Sequence, residues 1–153
     1  MKLKQWIGVF AAALTACQTI TYAYQKVDVP STKPQTKDEQ LAKVEFIAPD
    51  ELKTKIAKNE AVTVVDLRGP SVYAQSDKTI QGAIHTKVRR VVYRLNKVPR
   101  DSEVITYCAC PADQAAIIAA RSLLANGFKR VRVLKGGWNA WLQTDGQLQP
   151  RPK

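Results

Sequence analysis

One histidine, one methionine and three cysteines leave little material for metal chemistry in this 153-residue chain. No Cys/His spacing of the zinc-finger kind occurs, so no resident metal or cofactor is expected. Aromatic residues make up only 7% and form no stacking strip, and no segment reads as a DNA-binding basic helix, so nucleic acid is not an expected partner. The apolar run from Trp6 to Leu14 is too short to span a bilayer in a mature protein. Acidic side chains are scarce as well: 13 against 24 Lys and Arg give a formal net charge of +11, which predicts a positive surface that attracts anions. There are no internal repeats. The length suits one domain with one core plus appendages.

What is present begins with an export signal. Lys2 and Lys4 precede the apolar run, and Leu14-Thr15-Ala16-Cys17 resembles the bacterial lipobox, which implies cleavage after residue 16 and lipid on Cys17. The alternative is an ordinary secretory signal cut later, for instance after Ala23. Gln18 after the cysteine resembles the enterobacterial pattern for outer-membrane sorting, which implies a lipid-anchored protein of the cell envelope facing the periplasm. Residues 17–43, rich in Thr, Gln and Lys with Pro30 and Pro34, read as the lipidated cysteine and a flexible tether. A folded domain is expected over 44–148 and a tail over 149–153.

Within that domain strand and helix patterns alternate. Val44 to Ile47 predicts a strand, and Pro49-Asp50-Glu51 opens a helix to about Lys58. The β-branched run Ala61 to Asp66 reads as a strand buried on both faces, hence part of a parallel sheet. Gly69-Pro70 turns into a short helix, Ile80 to His85 is a brief extended piece, and Lys87 to Leu95 has helical spacing with Arg89, Arg90 and Arg94 on a solvated face. Glu103 to Tyr107 is a strand, and Ala116, Ala119, Ala120, Leu123 and Leu124 form the apolar stripe of a helix ending at Asn126-Gly127. Phe128 to Leu134 is the last strand, and Gly136-Gly137 turns into a final helix whose Trp141 reads as core. The fold class is therefore α/β, a mostly parallel central sheet flanked by helices.

Cys108 stands where the strand ending at Tyr107 meets a loop and then a helix. Converging backbone N–H groups and the positive end of a helix dipole lower a thiol pKa there and receive anions. A thiol of pKa about 8.5 is a few per cent thiolate at neutral pH, and one lowered to roughly 6.5 is mostly thiolate. Cys108 is thus the candidate nucleophile, with inert packing as the alternative. Cys110 follows two residues later, with Pro111 behind it.

Residues 45–148 resemble a rhodanese-like domain. The matching pieces occur in the family's order: Val64-Val65-Asp66-Leu67-Arg68, Ile80-Gln81-Gly82-Ala83-Ile84-His85, Thr106-Tyr107-Cys108, and Leu134-Lys135-Gly136-Gly137-Trp138-Asn139-Ala140-Trp141. Cys108-Ala109-Cys110-Pro111 looks like a subgroup whose loop reads Cys-x-Cys-Pro. The resemblance implies a single rhodanese-like domain that moves sulfane sulfur from a small sulfur-containing anion to a thiol acceptor through a Cys108 persulfide. It implies that backbone N–H groups of Ala109, Cys110, Pro111, Ala112, Asp113 and Gln114, proline excepted, form the substrate-binding loop, and that Asp66 and Arg68 brace it. Departures are Pro111 and Asp113 where active loops carry glycine or a cation, which predicts weaker reception of a dianion. No arginine follows the cysteine before Arg121, which disfavours the related phosphatase chemistry. His85 is expected to be structural. Two further readings stay open: a non-catalytic rhodanese-like binding module, and a thiol–disulfide redox protein in which Cys110 resolves Cys108, the alternative for Cys110 being that it packs beneath the loop. Oligomeric state is not legible.

Overall fold

The computed structural model describes residues 44–152; the expected export signal, Cys17 and the whole of the expected tether, to residue 43, lie outside the described residues. Five strands form the main sheet in the order β1 (Glu45–Ile47), β6 (Arg130–Leu134), β5 (Glu103–Tyr107), β2 (Val62–Asp66) and β4 (Ile84–His85), and every neighbouring pair is parallel. The fold is α/β with a parallel central sheet, as the unbroken β-branched run of β2 predicts. Alternation along these strands feeds two cores. Val65, Val104 and Val133 pack on one face with the stripe Ala116, Ala119, Ala120 and Leu123 of the helix Gln114–Ala125. Val64, Ile105 and Leu134 pack on the other with Leu52, Trp138 and Trp141.

Five helices follow among the described residues: α1 (Pro49–Ala57) and α2 (Pro70–Gln75), each opened by proline at its first position, then α3 (Val91–Arg94), α4 (Gln114–Ala125) and α5 (Gly137–Trp141). Three expectations need correction. The helix expected over Lys87 to Leu95 is a 3-10 turn, Val88–Arg90, and then α3, separated at Arg90 (φ −109°, ψ 0°); Arg90 N–H donates to Lys87 O at 2.8 Å, an i→i+3 bond that tightens the first turn and interrupts the α ladder. The extended piece Ile80 to His85 is two strands, β3 (Lys78–Ile80) and β4, parted by a turn in which Gly82 has φ +74°. The tail expected over 149–153 begins inside a strand, β7 (Leu148–Pro150), which pairs antiparallel with β3, and beyond it Arg151 donates its backbone N–H to Asp77 O at 2.7 Å and its Nε to Ser76 O at 2.9 Å. A stretch reading Gln-Leu-Gln-Pro has no periodicity of its own, and it becomes a strand because β3 offers an edge.

Candidate active site

The site is assembled where β2, β5 and β4 end side by side. Their register sets Tyr107 opposite Asp66 and Asp66 opposite His85. Because side chains alternate, Tyr107 points into the core of Trp138 and Ile105, and the next residue, Cys108, joins the opposite core beside Val65, Leu67 and Val91. Cys108 is 1% exposed and lies against a cleft of about 530 Å³ whose walls include Leu67, Arg68, Pro70, Val88, Cys110 and Pro111. Arg68 and Lys87 are the charged residues of that wall, and no carboxylate lines it.

Cys108 and Cys110 are joined in a disulfide, their Cα atoms 5.6 Å apart. The chain then enters a 3-10 turn, Pro111–Asp113, in which Ala112 (φ 51°) and Asp113 (φ 54°) are both left-handed. Within it Asp113 N–H donates to Cys110 O at 3.3 Å and Gln114 N–H to Pro111 O. The N–H groups of Ala109 and Cys110, two residues of the cleft wall, have no acceptor among the described residues. The helix α4 addresses Cys110 rather than Cys108: Ala115 N–H donates to Cys110 Sγ at 3.3 Å.

A second loop holds the first. Asp113 is 8% exposed, and its Oδ2 accepts the Gly136 N–H at 2.8 Å. Trp138 N–H donates to Cys108 O at 2.8 Å. Between them Gly137 sits at φ +53°, so close that a Cβ there would collide with the Cys108 carbonyl and meet Asp113 Oδ1 at 3.0 Å. The expectation that Asp113 repels a dianion therefore needs correction: its carboxylate is buried, is occupied by the Gly136 N–H, and is not part of the cleft wall.

Behind the cleft lies a buried hydrogen-bonded cluster. Asp66, 0% exposed, accepts from Arg68 N–H, Arg68 Nε, Arg68 Nη2 (2.7 Å), Thr79 Oγ1 (3.0 Å) and Tyr107 Oη (2.7 Å). Arg68 also donates to Lys78 O at 3.0 Å, and its guanidinium lies 4.0 Å from the Trp138 ring centroid, where the π face stands in for a partner to the buried Nη1. Burial, and then the Asp66 charge, push the Tyr107 hydroxyl far above its ordinary pKa, so it remains a donor. His85 stacks on Tyr73 at 3.6 Å, with Nδ1 3.9 Å from Asp66 Oδ1; burial lowers its pKa. It stands beside the cluster and does not line the cleft.

The sequence model of the rhodanese-like domain family matches residues 48–144. A protein of Allochromatium vinosum named "Sulfurtransferase" is 32% identical over 98 residues, covering 64% of this chain and 88% of that protein. The "Putative sulfur carrier protein YrkF" of Bacillus subtilis is 25% identical over 103 residues, 67% of this chain, and the match spans only about half, 54%, of that protein's length. Among solved structures, the Alr3790 protein from Anabaena sp. superposes with a TM-score of 0.61 at 28% identity, over 69% of this chain and 82% of that one. The chain belongs to the rhodanese-like domain family.

Of the residues singled out in the sequence, Cys108, Ala109, Cys110, Pro111 and Arg68 line one cleft. Ala112 and Gln114 are exposed outside that wall, Asp113 and Asp66 are buried behind it, and Cys17 lies outside the described residues. Sequence reasoning missed Tyr107, Thr79 and Lys87. Tyr107 carried a readable signal, since a phenol in an otherwise apolar buried strand needs a partner for its hydroxyl.

Proposed function

We propose that this protein is a sulfurtransferase that carries sulfane sulfur as a persulfide on Cys108. The observation that carries this reading is the Cys108 sulfur at the end of β5, against a cleft that no carboxylate lines and that the exposed Lys87 borders. The name of the Allochromatium relative supports the same class. In the reduced protein the Cys108 thiolate attacks the outer sulfur of a donor such as thiosulfate; the new S–S bond forms on Cys108 as the old one breaks, and sulfite leaves with the electron pair. Lys87 and the unpaired N–H groups of Ala109 and Cys110 favour the anion before and after transfer, while the Arg68 guanidinium stays paired with Asp66 behind the cleft. A thiol then takes the sulfur from the persulfide. The test is mass spectrometry of the reduced full chain after exposure to thiosulfate and other sulfane donors. Cys108 should gain one sulfur atom, and Cys108→Ser should gain none and lose turnover by at least about a thousandfold. If no donor loads Cys108, the reading falls.

We infer further that the protein is anchored in a bacterial envelope by lipid on Cys17, on the outer membrane and facing the periplasm. The Leu14-Thr15-Ala16-Cys17 sequence followed by Gln18 supports this, and several acyl chains give a durable anchor. In membrane fractionation the wild type should sediment with the outer membrane and Cys17→Ala should not. Identical soluble behaviour of the two would refute the anchor.

A further inference from the structure

Cys110 has chemistry the persulfide cycle above does not use. It is half-buried in the cleft wall, whereas Cys108 is 1% exposed, and the two sulfurs are within bonding distance without any rearrangement of the sheet, being joined as they stand. The N-terminal N–H of the twelve-residue helix α4 is spent on the Cys110 sulfur, through Ala115 at 3.3 Å, and not on Cys108. An N–H donor and a helix N-terminus favour the thiolate over the thiol, so the loop is arranged to make Cys110 a nucleophile aimed at Cys108. A bulky acceptor would have to reach a sulfur at the bottom of the cleft; Cys110 is already there.

We propose that Cys110 is the resolving thiol of this site and that it ends the cycle by releasing hydrosulfide; this rests on Cys108 carrying a persulfide. Cys110 attacks Cys108 Sγ, the inner sulfur. The Sγ–Sγ bond forms as the Cys110 thiolate attacks, the bond from Cys108 Sγ to the sulfane sulfur breaks, and that sulfur, carrying the persulfide's own proton, leaves with the electron pair as HS⁻. The sulfane sulfur is reduced and the two cysteines are oxidised, so this step needs no outside reductant. An external dithiol then reopens the disulfide by exchange, becoming a disulfide itself and returning two thiols. Attack falls on Cys110, the less buried sulfur. Summed over the cycle, thiosulfate and a dithiol give sulfite, hydrosulfide and a disulfide.

The test uses the full chain carrying Cys17→Ala, so that Cys108 and Cys110 are its only thiols, reduced and freed of reductant, then given one equivalent of thiosulfate. Sulfide, titratable thiols and intact mass are followed. The expected result is one sulfide released per chain, the loss of both thiols, and a final mass two hydrogens below the reduced protein. With Cys110→Ser added, the chain should keep the extra sulfur on Cys108 at least about tenfold longer and release no sulfide. Cys110→Ala should behave likewise, so a disturbance specific to serine cannot imitate the effect. A persulfide that lives as long in the parent chain as in both variants overturns the resolving role and leaves Cys108 as the carrier. Migration of the extra sulfur to Cys110 without sulfide release overturns it too. Failure of all three chains to take up sulfur overturns both this proposal and the persulfide reading.

Discussion

Gly137 and Asp113 reach the cysteine loop from separate parts of the chain, and between them they decide its shape. Asp113 turns a left-handed backbone (φ 54°) into a useful one by directing its carboxylate at the Gly136 N–H; aspartate tolerates that region better than most side chains. Gly137 has no such latitude, because its φ of +53° and the nearness of the Cys108 carbonyl both require a missing Cβ. Gly137→Ala is therefore expected to cost about 2–4 kcal/mol, from left-handed strain together with a backbone collision. Urea denaturation measures the first effect. The second is local: the Cys108 carbonyl that receives the Trp138 N–H must shift, so persulfide formation should fall as well. A variant of unchanged stability and loading would show that this turn does not position the cysteine.

Side chains at the ends of strands and helices here add polar ties to what the two cores supply. Glu103, the first residue of β5, is 5% exposed and faces Arg132 and Arg130 on β6 and Lys55 on α1. Burial opposes its ionisation, yet Arg132 and Lys55 outweigh that and hold its carboxyl below the ordinary range. Arg132 continues to Glu51 of α1 at 2.7 Å, so one carboxylate staples the helix across two strands. Glu103→Gln leaves these cations short of their partner. It should lower stability by about 2 kcal/mol, less than for a fully buried pair because the partners keep some solvent. Thermal melts at low and moderate salt provide the check. A melting temperature equal to that of wild type would mean solvent replaces the carboxylate. At the same scale the segment from Lys87 to Arg100 shows why spacing alone misleads: its apolar valines do pack against α4, but its first turn closes by an i→i+3 bond and the α-helix starts only after Arg90.

For the molecule as a whole, pH enters through the row of Tyr107, Asp66 and His85 across the sheet. Burial lowers the His85 pKa below its ordinary 6.5, so the folded state binds its proton less readily than the unfolded state. Stability contributed by neutral His85 is thus full above about pH 6.5 and is lost as pH falls from there through the folded value. Denaturation midpoints measured from about pH 7.5 down to 5 should decline with the linkage of a single proton, and His85→Asn should flatten that decline. Equal slopes in the two proteins would remove His85 as the cause. The strand–helix alternation, the buried parallel strands and the place of Cys108 were legible in the sequence, because each is written in a local period or in the meeting of an apolar run with a loop. The Cys-Ala-Cys-Pro loop and the nearness of Asp66 to Arg68 followed from residues close in sequence. What only the tertiary structure decided depends on contacts between distant residues. Tyr107 meets Asp66 across 41 positions and Gly136 meets Asp113 across 23, Leu148–Pro150 becomes a strand only against β3, and Lys87 reaches the cleft wall from another segment. A carboxylate's role is fixed by the donor it finds, so Asp113 reads as a repelling charge in one dimension and is a structural acceptor in three.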